Sequence, residues 1–352
     1  MECFTSHAID LIEAAYDLEK PDSEWLPNLI EVGAPILDHG HGVVGFELVR
    51  PPGAGGADGV VSNIHLRSLP ADFLERFDAA RSVISPECFQ AVSSSAFAGT
   101  WTELAKDYPE DAERALEKVG YPDLLGITAV DVNGVCVQFL APLSRVIKLT
   151  PQSRRCWQML GAHIAAAYRL RRALTDVGVS SQFGPTGLPN DAEAIIDPEG
   201  FRIVDSFGRA QEANAARAVR AAAREVDRAR GKLRHDDPQK ALEIWKALVR
   251  GRWSMVDWFD TDGRRFVLAR PNSPDCHDPR GLTEQECLVV NYLLRGETNK
   301  LIAYRLGLSQ GRVSGLLKSA MHKLGVKSRV ALIEKLGPLG VPAISDDDQS
   351  AA

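Results

Sequence analysis

Between residues 282 and 337 the chain is punctuated in a way that leaves few structures open to it. Thr283 with Glu286 three positions on, then Gly296, Thr298, Gly307, Ser309 and Ser328, cut the segment into four short runs with helical apolar spacing. The Thr283/Glu286 pair predicts a capping box, in which each side chain satisfies a backbone N–H at the helix start. Leu288, Val289, Tyr292 and Leu293 then form the inner face of a first helix, and Gly296 stops it. Thr298 opens a second helix over 299 to 306 with Ile302 and Leu306 inward; Gly307 makes a tight bend. Ser309 caps a third helix over 310 to 323, whose inner positions are Val313, Leu317, Ala320 and Leu324. Ser328 caps a last helix carrying Leu332 and Ile333.

Two short helices joined by a glycine bend, the second longer and basic, make a helix-turn-helix. The segment is similar to the C-terminal domain of LuxR-type regulators through Leu282-Thr283, Glu286, Gly296, Asn299-Lys300, Ile302-Ala303, Leu306, Leu308-Ser309, Val313, Lys323-Leu324-Gly325-Val326 and Ser328-Arg329. The resemblance implies a DNA-binding transcriptional regulator working as a homodimer on double-stranded DNA, with RNA polymerase as a further partner. Phosphate contacts supply most of the affinity and base edges the sequence choice. Lys300, Arg305, Ser309 with the amides of the helix start, Lys323 and Lys327 are the expected phosphate contacts. Arg312, Ser314, Lys318 and His322 are the expected groove-facing residues, Gln310 a further expected DNA contact, and Leu332 and Ile333 the expected dimer contacts.

The third helix departs from the family at three positions. Arg312 stands where the family usually has Thr, Leu316 where it has His, and Gly315 at a position that often faces bases. Glycine there removes a contact and costs the helix roughly 1 kcal/mol relative to alanine. A guanidinium at 312 offers a phosphate grip or a bidentate pair with guanine in exchange.

The charge distribution suits this reading. Residues 280 to 335 carry 10 Lys+Arg and 4 Asp+Glu, a balance of +6, and the whole chain of 352 residues is at -6, which leaves -12 elsewhere. A basic module on an acidic body is the pattern expected of a nucleic-acid binder. The competing reading is a signalling adaptor in which the same helices make only protein contacts; it has no need of a basic face.

Upstream, helical spacing over residues 5 to 19 and 22 to 37 is followed by strand patterns at 41 to 50 and 59 to 69 around a Pro/Gly-rich loop. Helical stretches at about 70 to 80 and 101 to 119 precede two strands in 126 to 143 around Asn133-Gly134, a strong hairpin signal. A long helix over 151 to 176 follows, with Trp157, Leu160, Ile164, Tyr168 and Leu174 on one face, suited either to a second copy or to its own sheet. This order resembles a GAF-type sensor domain. Residues 193 to 207 and 252 to 270 read as two hairpins flanking helical sequence, in which Ala215, Val219, Ala222, Val226, Ala229 and Leu233 recur at four-three spacing. That layout resembles a reduced PAS-like unit.

The expected fold class is therefore α+β sensor-like modules, antiparallel sheets with flanking helices, followed by an all-α four-helix domain. The expected domains are a GAF-like domain with an N-terminal helix (1–176), a linker (177–191), a small α+β PAS-like module (192–270), a second linker (271–280), the LuxR-type domain (281–337) and a disordered acidic tail (338–352). A small-molecule ligand or a protein partner at the N-terminal body is the expected input.

Other chemistry finds little support. His39 and His41 have HxH spacing without an evident third ligand, and no GxSxG, HExxH or kinase-like set occurs, so neither a metal nor an enzyme is expected and no motif points to a cofactor. The six cysteines are scattered without a CxxC pair and read as reduced and structural. No apolar run approaches a membrane span, and the acidic, amphipathic start lacks the features of a signal peptide, so a cytoplasmic, nucleoid-associated protein is expected.

Overall fold

The computed structural model describes residues 5–49, 60–94, 97–132, 136–176, 186–272 and 280–336. The Asn133-Gly134 turn, the Pro/Gly-rich loop, residues 177–185 of the expected 177–191 linker, residues 273–279 of the expected 271–280 linker and the acidic tail lie outside them.

Helices α1 (Ser6–Ala15) and α2 (Asp22–Leu37) lead into β1 (Val43–Val49) and β2 (Val60–Arg67). Then come α3 (Phe73–Ser82), α4 (Pro86–Ser94), β3 (Ala98–Thr100), α5 (Trp101–Leu104), α6 (Pro109–Val119), β4 (Asp123–Val130), β5 (Cys136–Leu143) and the long α7 (Pro151–Asp176). The strands form an antiparallel sheet of order β2-β1-β5-β4-β3. Strand alternation divides its side chains between two cores. Leu125, Ile127, Ala129, Val137 and Phe139 join α1, α2 and α7, while Val44, Phe46 and Leu124 meet Phe73, Phe77, Ala112 and Ala115 of α3 and α6. Because β4 and β5 are covered on both faces, their sequences are almost continuously apolar. Helix α4 and strand β3 were not expected; both are short and flanked by Ser, Ala and Gly with no clear period.

The second sheet is built from β6 (Ala194–Asp197), β7 (Arg202–Ser206), β8 (Trp253–Phe259) and β9 (Arg265–Pro271) in the order β7-β6-β9-β8. Between its hairpins lie α8 (Ala213–Arg230), α9 (Leu233–Asp236) and α10 (Pro238–Ile244). The small-residue stripe of α8 (Ala215, Val219, Ala223, Val226, Ala229) is buried in the same cluster as Ala194, Ile196, Trp253, Met255 and Val267. It is a close helix-on-sheet contact within this chain.

That cluster also contains α7 and α1, so the two modules share one core. Helix α7 is buried almost all round, not along one stripe: the first sheet covers one side, and α1, α10 and a C-terminal helix cover others. The alternative of a face left open for a second copy is thus not what the structure has. Its buried polar residues are individually matched. Arg169 meets Asp131 at 2.6 Å, and Arg171 donates to the carbonyls of Asp17 and Lys20. Cys88, Cys136 and Cys287 are buried thiols, but Cys156 on α7 is disulfide-bonded, against the expectation for all six.

The C-terminal unit has α11 (Glu284–Leu294), α12 (Asn299–Leu306), α13 (Gln310–Lys323) and α14 (Arg329–Leu336) around its own core. Antiparallel sheets with flanking helices followed by a helical C-terminal domain therefore describe the chain.

Candidate nucleic-acid interface

The local chemistry of α11 to α14 sets the geometry of the reading helix. Thr283 Oγ1 accepts from the Glu286 amide at 3.3 Å while the Thr283 amide donates to Glu286 Oε2 at 2.7 Å, a complete capping box. Thr298 caps α12 by accepting from the Leu301 amide, and Ser309 caps α13 by accepting from the Arg312 amide. Between them Gly307 adopts φ +60°, ψ +34°. No other residue fits there, since a Cβ would lie 2.0 Å from the Leu248 carbonyl oxygen. Helix α13 then buries Val313, Leu316, Leu317 and Ala320 and leaves Gln310, Arg312, Ser314, Gly315, Lys318 and His322 in solvent. Leu316 thus packs inward, and nothing lies within 4 Å of a Cβ built on Gly315.

An exposed helix face that carries Arg312 and Lys318 and no acidic residue, capped by Ser309 and backed by a tight αL turn, is the geometry of a groove-reading helix. Residues 280–336 match the bacterial regulatory proteins of the luxR family (GerE). The match supports a DNA-binding transcription regulator, and residues 280–336 are a LuxR-type helix-turn-helix domain. No curated protein matches the chain.

Within the LuxR-type domain the structure sorts the expected contacts into three groups. Lys300, Ser309, Gln310, Arg312, Ser314, Lys318, His322 and Lys327 are exposed. Of these, Ser314 accepts from Asn299 Nδ2 at 3.1 Å, and Asn299 Oδ1 in turn accepts from Arg329 at 2.7 Å. Asn299 and Arg329 therefore belong to the same surface, although their short-range bonds are invisible to spacing arguments. Lys323 is half committed: its ammonium meets Glu286 at 2.7 Å and the Gly281 carbonyl at 3.2 Å. That bond, with Ser319 donating to Glu286 at 2.6 Å, holds the Glu286 pKa down to about 2 although burial works the other way.

Two expectations need correction. Arg305 is no phosphate contact: it is 1 % exposed and makes a two-pronged ion pair with Glu297 (2.6 and 3.2 Å) while lying 4.6 Å from the Tyr292 ring centroid. Burial alone would lower its pKa; the Glu297 carboxylate outweighs that and raises it. An arginine in the last turn of a short helix reads as exposed, but here it folds back onto Glu297 and the Tyr292 ring of its own domain. Leu332 is likewise fully buried in the domain's own core, so it is not available to a second copy. Ile333 is exposed at 42 %, beside Val330 at 64 %, which sequence reasoning passed over.

The domain is docked against the body. Every residue of α12 from Leu301 to Leu306 is buried, since Ile302, Ala303 and Leu306 face their own core and Leu301 and Tyr304 enter the body's. Val132 and Leu248 of the body complete the domain's core in return. The Tyr304 hydroxyl lies 2.7 Å from His163 Nε2 and 2.7 Å from the Leu242 carbonyl, inside an aromatic box with Tyr16 and Trp245. These bonds suit a neutral imidazole protonated on Nε2 that donates to the tyrosine oxygen. Burial lowers the His163 pKa to about 3. Polar bonds seal the rim: Tyr292 to Asp131, Arg295 to the Val132 carbonyl, and the Gly251 amide to the Leu306 carbonyl at 2.6 Å.

Proposed function

We propose that this chain is a cytoplasmic transcription regulator whose N-terminal body senses an input and fixes the orientation of the LuxR-type reading head. The single observation that carries the DNA-binding part is the exposed face of α13. It presents Arg312, Ser314, Lys318 and His322 to solvent while the opposite side is fully packed. Lys300, Ser309 and Lys327 are assigned to phosphates, with Lys323 contributing only when it leaves Glu286. The open Gly315 makes base discrimination looser than a full set of side chains would give. Dimerisation is assigned to the exposed Val330 and Ile333 of α14, which would set two reading helices about one helical turn of DNA apart.

Control by the body is supported by the interface itself. A change that shifts α7 moves His163 and with it the Tyr304 anchor, so an input that biases one body arrangement biases the head. A cleft of about 400 Å³ lined by Trp25, Glu47, Asn63, Tyr168, Arg171 and Arg172 meets α7 near its C-terminal end and is our candidate input site for a small polar ligand.

The test is fluorescence anisotropy of the full chain on pooled double-stranded DNA fragments across a salt series. Binding that weakens steeply with salt is expected, with Lys318→Ala lowering affinity. Folded protein without salt-dependent binding would overturn the assignment and favour protein contacts as the role of the helical domain.

A further inference from the structure

Beside the first turn of α13, head and body leave a cleft of about 430 Å³ between them. Arg312 enters it from the reading helix, and Arg209, Arg250 and Arg252 enter it from the body. Arg252 is committed, held by Glu193 at 2.7 Å. The other three are available in different degrees. Arg312 makes only a 3.3 Å bond to Gln285. Arg209 stands 3.9 Å from Glu284 with its side chain 61 % exposed, a pair of the kind that contributes little and exchanges readily. The side chain of Arg250 has no hydrogen-bond or ion-pair partner among the described residues.

Arg250 is also held in an uncommon backbone conformation, φ +53°. A glycine or asparagine would adopt it at less cost, about 1–2 kcal/mol less for glycine. The turn is fixed against the head, since the next amide, Gly251, donates to the Leu306 carbonyl and Gln285 Nε2 donates to the Arg250 carbonyl. A strained arginine pinned beside a reading helix, its guanidinium unused, is an outlier that asks for a role.

We propose that Arg209 and Arg250 extend the phosphate-binding track of the reading head onto the body, gripping the DNA backbone next to the strand that Arg312 approaches. The inference rests on the DNA-binding assignment above. DNA seated on α13 carries its backbone past the Ser309 end of that helix, where these guanidinium groups face the same opening. Glu212 and Glu284 also line the cleft, and Glu284 is the loose partner of Arg209 that a phosphate would displace. The body is then part of the DNA-binding surface, and site length exceeds what the head alone covers.

The experiment compares the full-length protein with Arg209→Ala/Arg250→Asn and Arg209→Lys/Arg250→Lys in the same anisotropy salt series. Asparagine tolerates the left-handed conformation, so the first variant keeps its fold; circular dichroism checks this. Each phosphate contact contributes about 0.9 to the slope of log affinity against log salt, so losing two from each protomer of the bound dimer lowers the slope by about 3.6. Between about 50 and 200 mM salt the wild-type protein then loses about 150-fold more affinity than the variant, and the lysine pair restores the slope. An unchanged slope with wild-type binding intact overturns the track but leaves the DNA-binding assignment standing. Failure of the wild-type protein itself to bind DNA overturns both. A third outcome also overturns the track: inorganic pyrophosphate raises the melting temperature of the wild type only, with equal DNA slopes, which makes the cleft a small-anion site.

Discussion

Replacing Arg305 by methionine separates the two roles that residue could have. Its side chain is 2 % exposed and that of Glu297 1 %, and removing the guanidinium leaves a desolvated carboxylate whose two oxygens have lost 2.6 and 3.2 Å bonds. Breaking a buried pair on one side costs about 3–5 kcal/mol. Nearby Arg295 offers Glu297 some compensation, which places the expectation at the lower end, about 3 kcal/mol. With a urea slope of about 3 kcal/mol/M, the unfolding midpoint of the full chain falls by about 1 M. The double change Glu297→Leu/Arg305→Met removes both charges and should recover most of that loss, since an apolar pair of similar volume replaces an ion pair at little cost. DNA binding by the fraction that stays folded should keep its wild-type salt slope. If Arg305→Met instead unfolds at the wild-type midpoint and lowers the slope of the bound dimer by about 1.8, Arg305 reaches a phosphate and the buried-pair account is wrong.

Further outcomes follow from the same geometry. Gly307→Ala places a Cβ on the Leu248 carbonyl and should cost at least about 2 kcal/mol in urea denaturation, against a left-handed strain term alone of about 1–2 kcal/mol. Gly315→Ala meets open space and should raise stability by about 1 kcal/mol while changing DNA affinity less than twofold; a destabilised variant would mean that the helix is not seated as described. Glu286 is held below its ordinary pKa, so its contribution is full above about pH 4.5 and is lost as pH falls toward 2; Glu286→Gln should flatten an acid-unfolding profile in that window. His163, also depressed, is buried neutral, so its contribution is full above about pH 6.5 and declines below it. At pH 5 any state that exposes it gains about 2 kcal/mol, and hydrogen exchange of α12, corrected for intrinsic rates, should rise between pH 7 and 5 in the wild type but not in His163→Gln.

The reading head was legible because its signals are local. Thr283, Thr298, Gly307 and Ser309 act on amides within four residues of themselves, so their spacing alone yields helix starts and the bend. The hairpins of both sheets were legible for the same reason. What spacing could not show is which outward face meets another part of the chain. Tyr304 sits on α12 where an isolated helix-turn-helix is wet, and packing against α7 and Trp245 turns it inward, while Arg305 folds back onto Glu297 and Tyr292 of its own domain. Leu332 was misjudged in the opposite sense, because an apolar residue on a terminal helix suits a dimer seam and a domain core equally. Arg209 and Arg250 lie more than 59 positions before the nearest base-facing residue, and no periodicity connects them.

Docking changes what regulation has to accomplish. A head on a free tether would search for DNA independently of its body, and an input could act only by masking it. Here Leu301 and Tyr304 of α12 join the body's core, Val132 and Leu248 join the head's, and Gly307 packs against the Leu248 carbonyl, so head and body form one packed unit. The face of α13 stays open in this docked state, which makes masking an unsuitable switch. On the proposed dimeric reading, the remaining lever is the position of one head relative to another. In that proposal a small rotation of the body would reach the reading helix through His163 and Tyr304, and half-site spacing would convert it into a change in affinity.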